Sequence, residues 1–179
     1  MPLAVTLCLD PAATAPVEAL WRALSEGGID DDCHRLGYRP HITLAIFRDG
    51  SDEAAIAAAL TRLAASWEAL PVNLAGIGVF PGETSILWAV PVATPALLER
   101  HRVLLDALPD LPVDPHYRAG AWTPHITLSG PVRDPARALG ALVPLWRPVR
   151  AALADLELVR FRPVEVLASH RLRGAGGTG

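Results

Sequence analysis

The sequence predicts an α+β protein built as two similar lobes, and three observations lead there. The pentapeptide Pro-His-Ile-Thr-Leu occurs twice, at 40–44 and at 124–128. Around each copy, apolar spacing and turn residues give one order of elements: strand, helix, long loop, pentapeptide strand, helix, strand. The chain has 179 residues, 51% hydrophobic and 20% charged, enough to bury a substantial core within one compact unit. The shared element order, more than the repeat itself, marks an internal duplication with halves of roughly 1–82 and 83–173.

Residues 2–9 read as a buried strand that Asp10-Pro11 stops. Val17, Leu20, Trp21 and Leu24 follow helical spacing, so a helix runs from Ala15 to about Leu24 and ends at Gly27-Gly28. Residues 29–39 are polar and irregular, and the first pentapeptide strand follows, reaching Phe47. Ser51 is a favourable N-cap, with Glu53 in the first turn, for an alanine-rich helix to about Leu70. A strand over 71–80 closes at Pro81-Gly82.

The second half starts with a strand over 84–92, then Thr94-Pro95 caps a helix whose apolar side carries Leu97, Leu98, Val103, Leu104 and Leu108. A loop over 109–123 leads to the second pentapeptide strand, Asp134-Pro135 opens a short helix, and strands near 149–161 and 163–171 complete the fold. The glycine-rich tail 174–179 is expected to be flexible.

Alternation along a strand puts His41 and Thr43 on one face and Ile42 and Leu44 on the other, and likewise His125 and Thr127 opposite Ile126 and Leu128. Two lobes related by a pseudo-twofold axis would meet at these strands, with the polar faces across a cleft. Two imidazoles there can serve as acid and base near neutral pH, and each threonine hydroxyl can donate to a substrate oxygen. A phosphodiester fits: one histidine takes a proton from the attacking hydroxyl or water, the other protonates the leaving oxygen, and the threonines hold the non-bridging oxygens.

The paired His-x-Thr motifs, each preceded by proline and followed by an apolar residue, resemble the two-histidine (2H) phosphoesterase superfamily, in particular its bacterial 2′-5′ RNA ligase-like and cyclic phosphodiesterase branch. The resemblance extends from Leu3 to about Leu172. It implies a bilobal α+β fold, two pseudo-twofold related lobes of antiparallel sheet with outer helices and the active site in the groove between them, and His41, Thr43, His125 and Thr127 as the catalytic residues. It also implies metal-independent opening of 2′,3′-cyclic phosphates on nucleotides or short RNA ends to 2′-phosphates, with reversible 2′-5′ RNA ligation in some members. No cofactor, metal or obligate protein partner is expected, and the protein is expected to act as a monomer.

Composition narrows the alternatives. All sixteen basic residues are arginine, which excludes chemistry through a nucleotidyl-lysine, a Schiff base or a P-loop lysine. A net charge of −3 argues against broad binding to long nucleic acid and favours a short or local ligand. No leader and no apolar run long enough to span a membrane are seen, and two cysteines, Cys8 and Cys33, suit a reducing cytoplasm. Around the motifs, Arg39, Phe47, Tyr117 and Trp122 are candidate substrate contacts, arginine for phosphate and aromatics for a base. Residues 30–34 (Asp-Asp-Asp-Cys-His) read as a solvated loop, not a metal site, and His34, His101, His116 and His170 read as structural. Two other functions compete: a non-catalytic protein that holds a nucleotide or RNA end in the same cleft, and a metallohydrolase centred on the same histidines, which lacks matching carboxylates.

Overall fold

The computed structural model describes residues 1–161 and 163–174, so the tail expected to be flexible lies, beyond Gly174, outside the described residues. Its strands are β1 (Leu3–Leu9), β2 (His41–Phe47), β3 (Leu70–Phe80), β4 (Ile86–Pro91), β5 (Ile126–Thr127), β6 (Val149–Arg160) and β7 (Glu165–Arg171). The helices are α1 (Pro11–Glu26), α2 (Asp32–Leu36), α3 (Glu53–Ser66), α4 (Pro95–Asp106) and α5 (Pro135–Leu142).

All strands join in one antiparallel sheet in the order β2-β1-β6-β3-β4-β5, with β7 added beside β6. This order reads the same backwards if β1 exchanges with β4, β2 with β5 and β3 with β6. The pseudo-twofold therefore passes between β6 and β3, which pair with each other through Leu70–Leu74 and Val149–Leu153. Each half also lends its third strand to the other: β3 pairs with β4, and β6 with β1. The structural lobes are accordingly not the sequence halves.

Local chemistry explains most boundaries. Asp10 ends β1 and also caps α1, accepting from Ala12 and Ala13 with Pro11 in the first turn. The helix thus starts four residues earlier than apolar spacing indicates, and Pro16, inside it, is the residue that hides this start. Asp52, not Ser51, caps α3 by accepting from Ala55, while the Ser51 hydroxyl is buried without a partner. The irregular 29–39 stretch contains α2, which Gly37 closes in a left-handed turn.

The core lies between the sheet and the helices. Phe47, Leu7, Leu9, Leu24, Ile42, Leu44, Ile56 and Leu60 are among its largest fully buried side chains. Each such side chain contributes about 1.5–3 kcal/mol of transfer free energy. A bulge where β2 meets β1 leaves Leu44 and Ala45 both buried and turns Ile46 back to the groove side. No described helix is long and apolar enough to cross a membrane.

Candidate active site

The two motif strands lie at opposite ends of the strand order, yet β2 and β5 touch, because the sheet curves until its edges meet. Alternation is as the sequence requires: Ile42, Leu44, Ile126 and Leu128 are buried, whereas His41, Thr43, His125 and Thr127 keep partial exposure. β5 is short, with only Ile126 and Thr127 on the ladder opposite Ala89 and Trp88. His125 sits just ahead of it.

Tryptophans tie the two motifs together. The Trp122 indole donates to the Thr43 carbonyl and the Trp21 indole to the Thr127 carbonyl, each at 3.0 Å. The Tyr117 phenol lies near enough to the Thr43 side chain to feel its hydroxyl. His101 from α4 holds this loop, stacking on Trp122 with ring centroids 4.1 Å apart and bonding the Tyr117 carbonyl at 2.8 Å.

Each catalytic candidate imidazole is fixed the same way. His41 Nδ1 lies 2.7 Å from the Arg39 carbonyl and His125 Nδ1 lies 2.8 Å from the Thr123 carbonyl. A carbonyl only accepts, so Nδ1 carries the proton in both rings, and Nε2 is left as the reactive nitrogen. Burial pushes the His41 imidazole down to about 4, and the nearby His125 adds to this while the Arg39 carbonyl and Glu157 oppose it. Burial also lowers His125, against the hydrogen bond from its Nδ1 to Thr123.

Two recesses flank the motifs. One, of about 220 Å³, is lined by Trp21, Cys33, Tyr38, His41, Thr43 and Thr127 among others. The other, of about 490 Å³, has Phe80, Tyr117, Trp122 and His125 in its wall. Behind His125, the Phe80 and Trp88 rings stack at 4.9 Å, and the edge of His125 meets Phe80 at 5.1 Å. Trp88 lies so close over Gly78 that a Cβ there would overlap its ring. Under His41 the surroundings are polar instead: Tyr38, Cys8, Asp155 and Glu157 are buried together.

The four weaker candidates separate. Tyr117 and Trp122 reach the groove wall, and Trp122 also braces Thr43. Phe47 is fully buried, because the bulge shifts the strand's alternation and turns it into the core, so it is no substrate contact. Arg39 lines neither recess; its side chain is 36% exposed, and its terminal nitrogens bond Asp155 at 2.8 Å and Glu157 at 2.6 Å. The sequence does not single out Phe80, Trp88 or Glu157 as site residues; a residue of β3, β4 or β6 facing the groove leaves no local signal. The acidic 30–34 stretch is not a free solvated loop. Asp30 accepts from the Gly130 amide at 3.0 Å just past the second motif, and an added Cβ on Gly130 would meet Asp32. Among the described residues no group of three His, Cys, Asp or Glu side chains could hold a metal ion. Cys8 is buried, His116 is exposed beside Asp114, and His170 lies 3.5 Å from the Thr61 hydroxyl.

A curved antiparallel sheet, pseudo-twofold strand order and two facing His-x-Thr strands define the two-histidine phosphoesterase class. The chain belongs to the 2′-5′ RNA ligase superfamily, whose family model matches residues 9–165. Among solved structures it is similar to TT0787 of Thermus thermophilus, with 21% identity, 97% and 99% of the two chains covered and a TM-score of 0.67. It is also similar to E. coli LigT complexed with NADP+, with 20% identity, 95% and 96% coverage and a TM-score of 0.56. Kluyveromyces marxianus Usb1 aligns at 15% identity over 96% and 98% of the chains with a TM-score of 0.53. At these identities the likeness shows the fold. Comparison with proteins of curated function returned no match.

Proposed function

We propose that the protein is a metal-independent phosphodiesterase that opens 2′,3′-cyclic phosphates of nucleotides or short RNA ends to 2′-phosphates. One observation carries this reading: His41 and His125 both have Nδ1 bound to a backbone carbonyl, and each has a threonine two residues further along its strand. In the reaction, a water oxygen bonds to phosphorus and its proton passes to the neutral Nε2 of one imidazole. The bond from phosphorus to O3′ breaks, and the Nε2–H of the other imidazole gives its proton to O3′. Thr43 and Thr127 donate to the non-bridging oxygens while negative charge builds there. With a 5′-hydroxyl in place of water as the nucleophile, the same steps join RNA through a 2′-5′ bond, O3′ again leaving with the proton from the second imidazole; in the reverse reaction the 3′-hydroxyl attacks, the 5′-hydroxyl leaves and the cyclic phosphate is restored.

The groove suits a nucleotide, with aromatic surface from Phe80, Tyr117 and Trp122 beside His125. A LigT structure with NADP+ and a Usb1 structure with uridine monophosphate are complexes of the same ligand class in proteins of this fold. The test is incubation with a 2′,3′-cyclic nucleotide and with a short RNA ending in a 2′,3′-cyclic phosphate, both in EDTA, separating 2′- from 3′-phosphate products. We expect 2′-phosphate, and a rate loss of about 10²–10⁴-fold in each of His41→Ala and His125→Ala. Absence of product from folded protein would leave the groove as a binding site only.

A further inference from the structure

The two histidines share their tautomer and their threonine neighbour but not their support. Thr123, whose carbonyl holds His125, is exposed and uncharged. Arg39, whose carbonyl holds His41, reaches across the sheet to β6 and grips two buried carboxylates with separate nitrogens. The register places Cys8 opposite His41 and, on the other side of β1, opposite Asp155, so these carboxylates lie two strands from the imidazole.

The cluster is fully connected. Asp155 also accepts from Arg171 at 3.1 Å, and Glu157 also accepts from Ser169 at 2.8 Å and from Tyr38 at 2.8 Å. Tyr38, donating to Glu157, accepts from Thr6 at 2.6 Å, and its ring packs against the His41 ring at 4.7 Å. Two arginines balance two carboxylates, which satisfies the condition for keeping such charges out of water.

We propose that Arg39 is a positioning residue for His41: its grip on Asp155 and Glu157 fixes the peptide whose carbonyl orients the imidazole, and Tyr38 supports the ring from the same cluster. This rests on the catalytic reading of His41 given above. The device explains an arginine beside the first motif whose terminal nitrogens are taken up by two buried carboxylates. It also makes the two histidines unequal, one clamped by an ion cluster and the other walled by aromatics.

The charged and titratable groups facing His41 are Cys8 from β1, Tyr38 and Arg39 from the approach to β2, Asp155 and Glu157 from β6, Arg171 from β7, and His125 across the groove. Glu157→Gln keeps the side-chain shape, removes the charge that Arg39 holds and leaves one oxygen where two now serve Arg39, Ser169 and Tyr38. Long-range nitrogen NMR of both imidazoles then reads the effect without substrate. The expected result is that His41 loses its single Nδ1–H pattern and titrates at lower pH, while His125 is unchanged. Turnover of the cyclic nucleotide should fall on the order of tenfold to a hundredfold, mainly in kcat, as small misplacements do. Should Glu157→Gln not fold, Tyr38→Phe, which removes one donor to the same carboxylate, is read in the same way. An unaltered His41 spectrum in a folded variant overturns the proposal. A changed spectrum in a protein whose wild type has no turnover would instead leave it standing and remove the phosphodiesterase reading.

Discussion

Trp21 holds Thr127. The indole of a helix in the first half donates at 3.0 Å to the carbonyl of the second motif's threonine, and Trp122 does the reverse for Thr43. Each motif is therefore fastened by a tryptophan from the other half of the sequence. Trp21→Phe keeps most of the ring and removes the donor, which costs about 1 kcal/mol for the lost hydrogen bond. A drop in Tm of about 2–4 °C is expected for a domain of this size. In the same variant kcat/KM should fall while Trp122→Phe produces a comparable loss, and a wild-type rate in both would show that these bonds do not set the groove.

The aromatic wall behind His125 depends on one missing Cβ. Because a methyl at position 78 would press into the Trp88 ring, Gly78→Ala has to push the indole off β3 and tilt the stack with Phe80. Overpacking of this kind costs about 1–3 kcal/mol. The expected outcome is a raised KM for the cyclic nucleotide together with a changed tryptophan near-UV signal. An unchanged KM would separate the wall from substrate binding.

The pH dependence follows from the direction of two shifts. Both imidazoles are lowered from their ordinary 6.5, His41 to about 4, so above about pH 6.5 both are neutral and no proton donor is present. A mechanism that needs one neutral and one charged ring then has its kcat/KM maximum between the two pKa values, on the acid side of 6.5. Stability runs the other way. The unfolded chain takes up a proton on His41 near pH 6.5 and the folded one only near 4, so this contribution is intact above 6.5 and is lost as pH falls toward 4. Profiles of kcat/KM and of chemical denaturation between pH 4 and 8, as a range chosen to bracket about 6.5, check both.

How far the sequence reaches can be seen at particular residues. His41, Thr43, His125 and Thr127 are legible because alternation and repetition are local properties of a strand. The element order is legible for the same reason, and it places the strands correctly up to their ends. The exchange of β3 and β6 between halves is not, since pairing partners distant in sequence leave no trace in local spacing. Glu157 and Asp155 sit in a run that reads as an ordinary strand, and only the neighbouring β1 and β7 make them part of the floor under His41. Arg39 stands out by proximity to the motif, whereas its partners lie more than a hundred residues away in sequence.

Cys8 offers a direct check on that floor. Burial pushes its thiol up to about 12, and the neighbouring Glu157 charge acts in the same direction, opposed by its polar contacts with Tyr38 and Thr6. Native protein treated with iodoacetamide at pH 8 should therefore retain Cys8 unmodified until it is unfolded in denaturant, at a pH where an ordinary thiol near about 8.5 reacts readily. Rapid alkylation of Cys8 in the folded protein would contradict a closed polar layer beneath the first motif.

Phe47 separates core from site most sharply. It follows the first motif by a few residues and would face the groove if β2 alternated without interruption, but the bulge at Leu44 reverses its direction and leaves it fully buried. Phe47→Ala removes a large side chain from a packed interior and should cost about 3–5 kcal/mol. That is a large share of the roughly 5–15 kcal/mol that holds a typical domain together, so a strongly lowered denaturation midpoint is expected. Under conditions where the variant remains folded, KM for the cyclic nucleotide should stay within about twofold of wild type, since a core deletion acts through stability. A raised KM with an unchanged midpoint would return Phe47 to the substrate and remove the bulge from the description of β2.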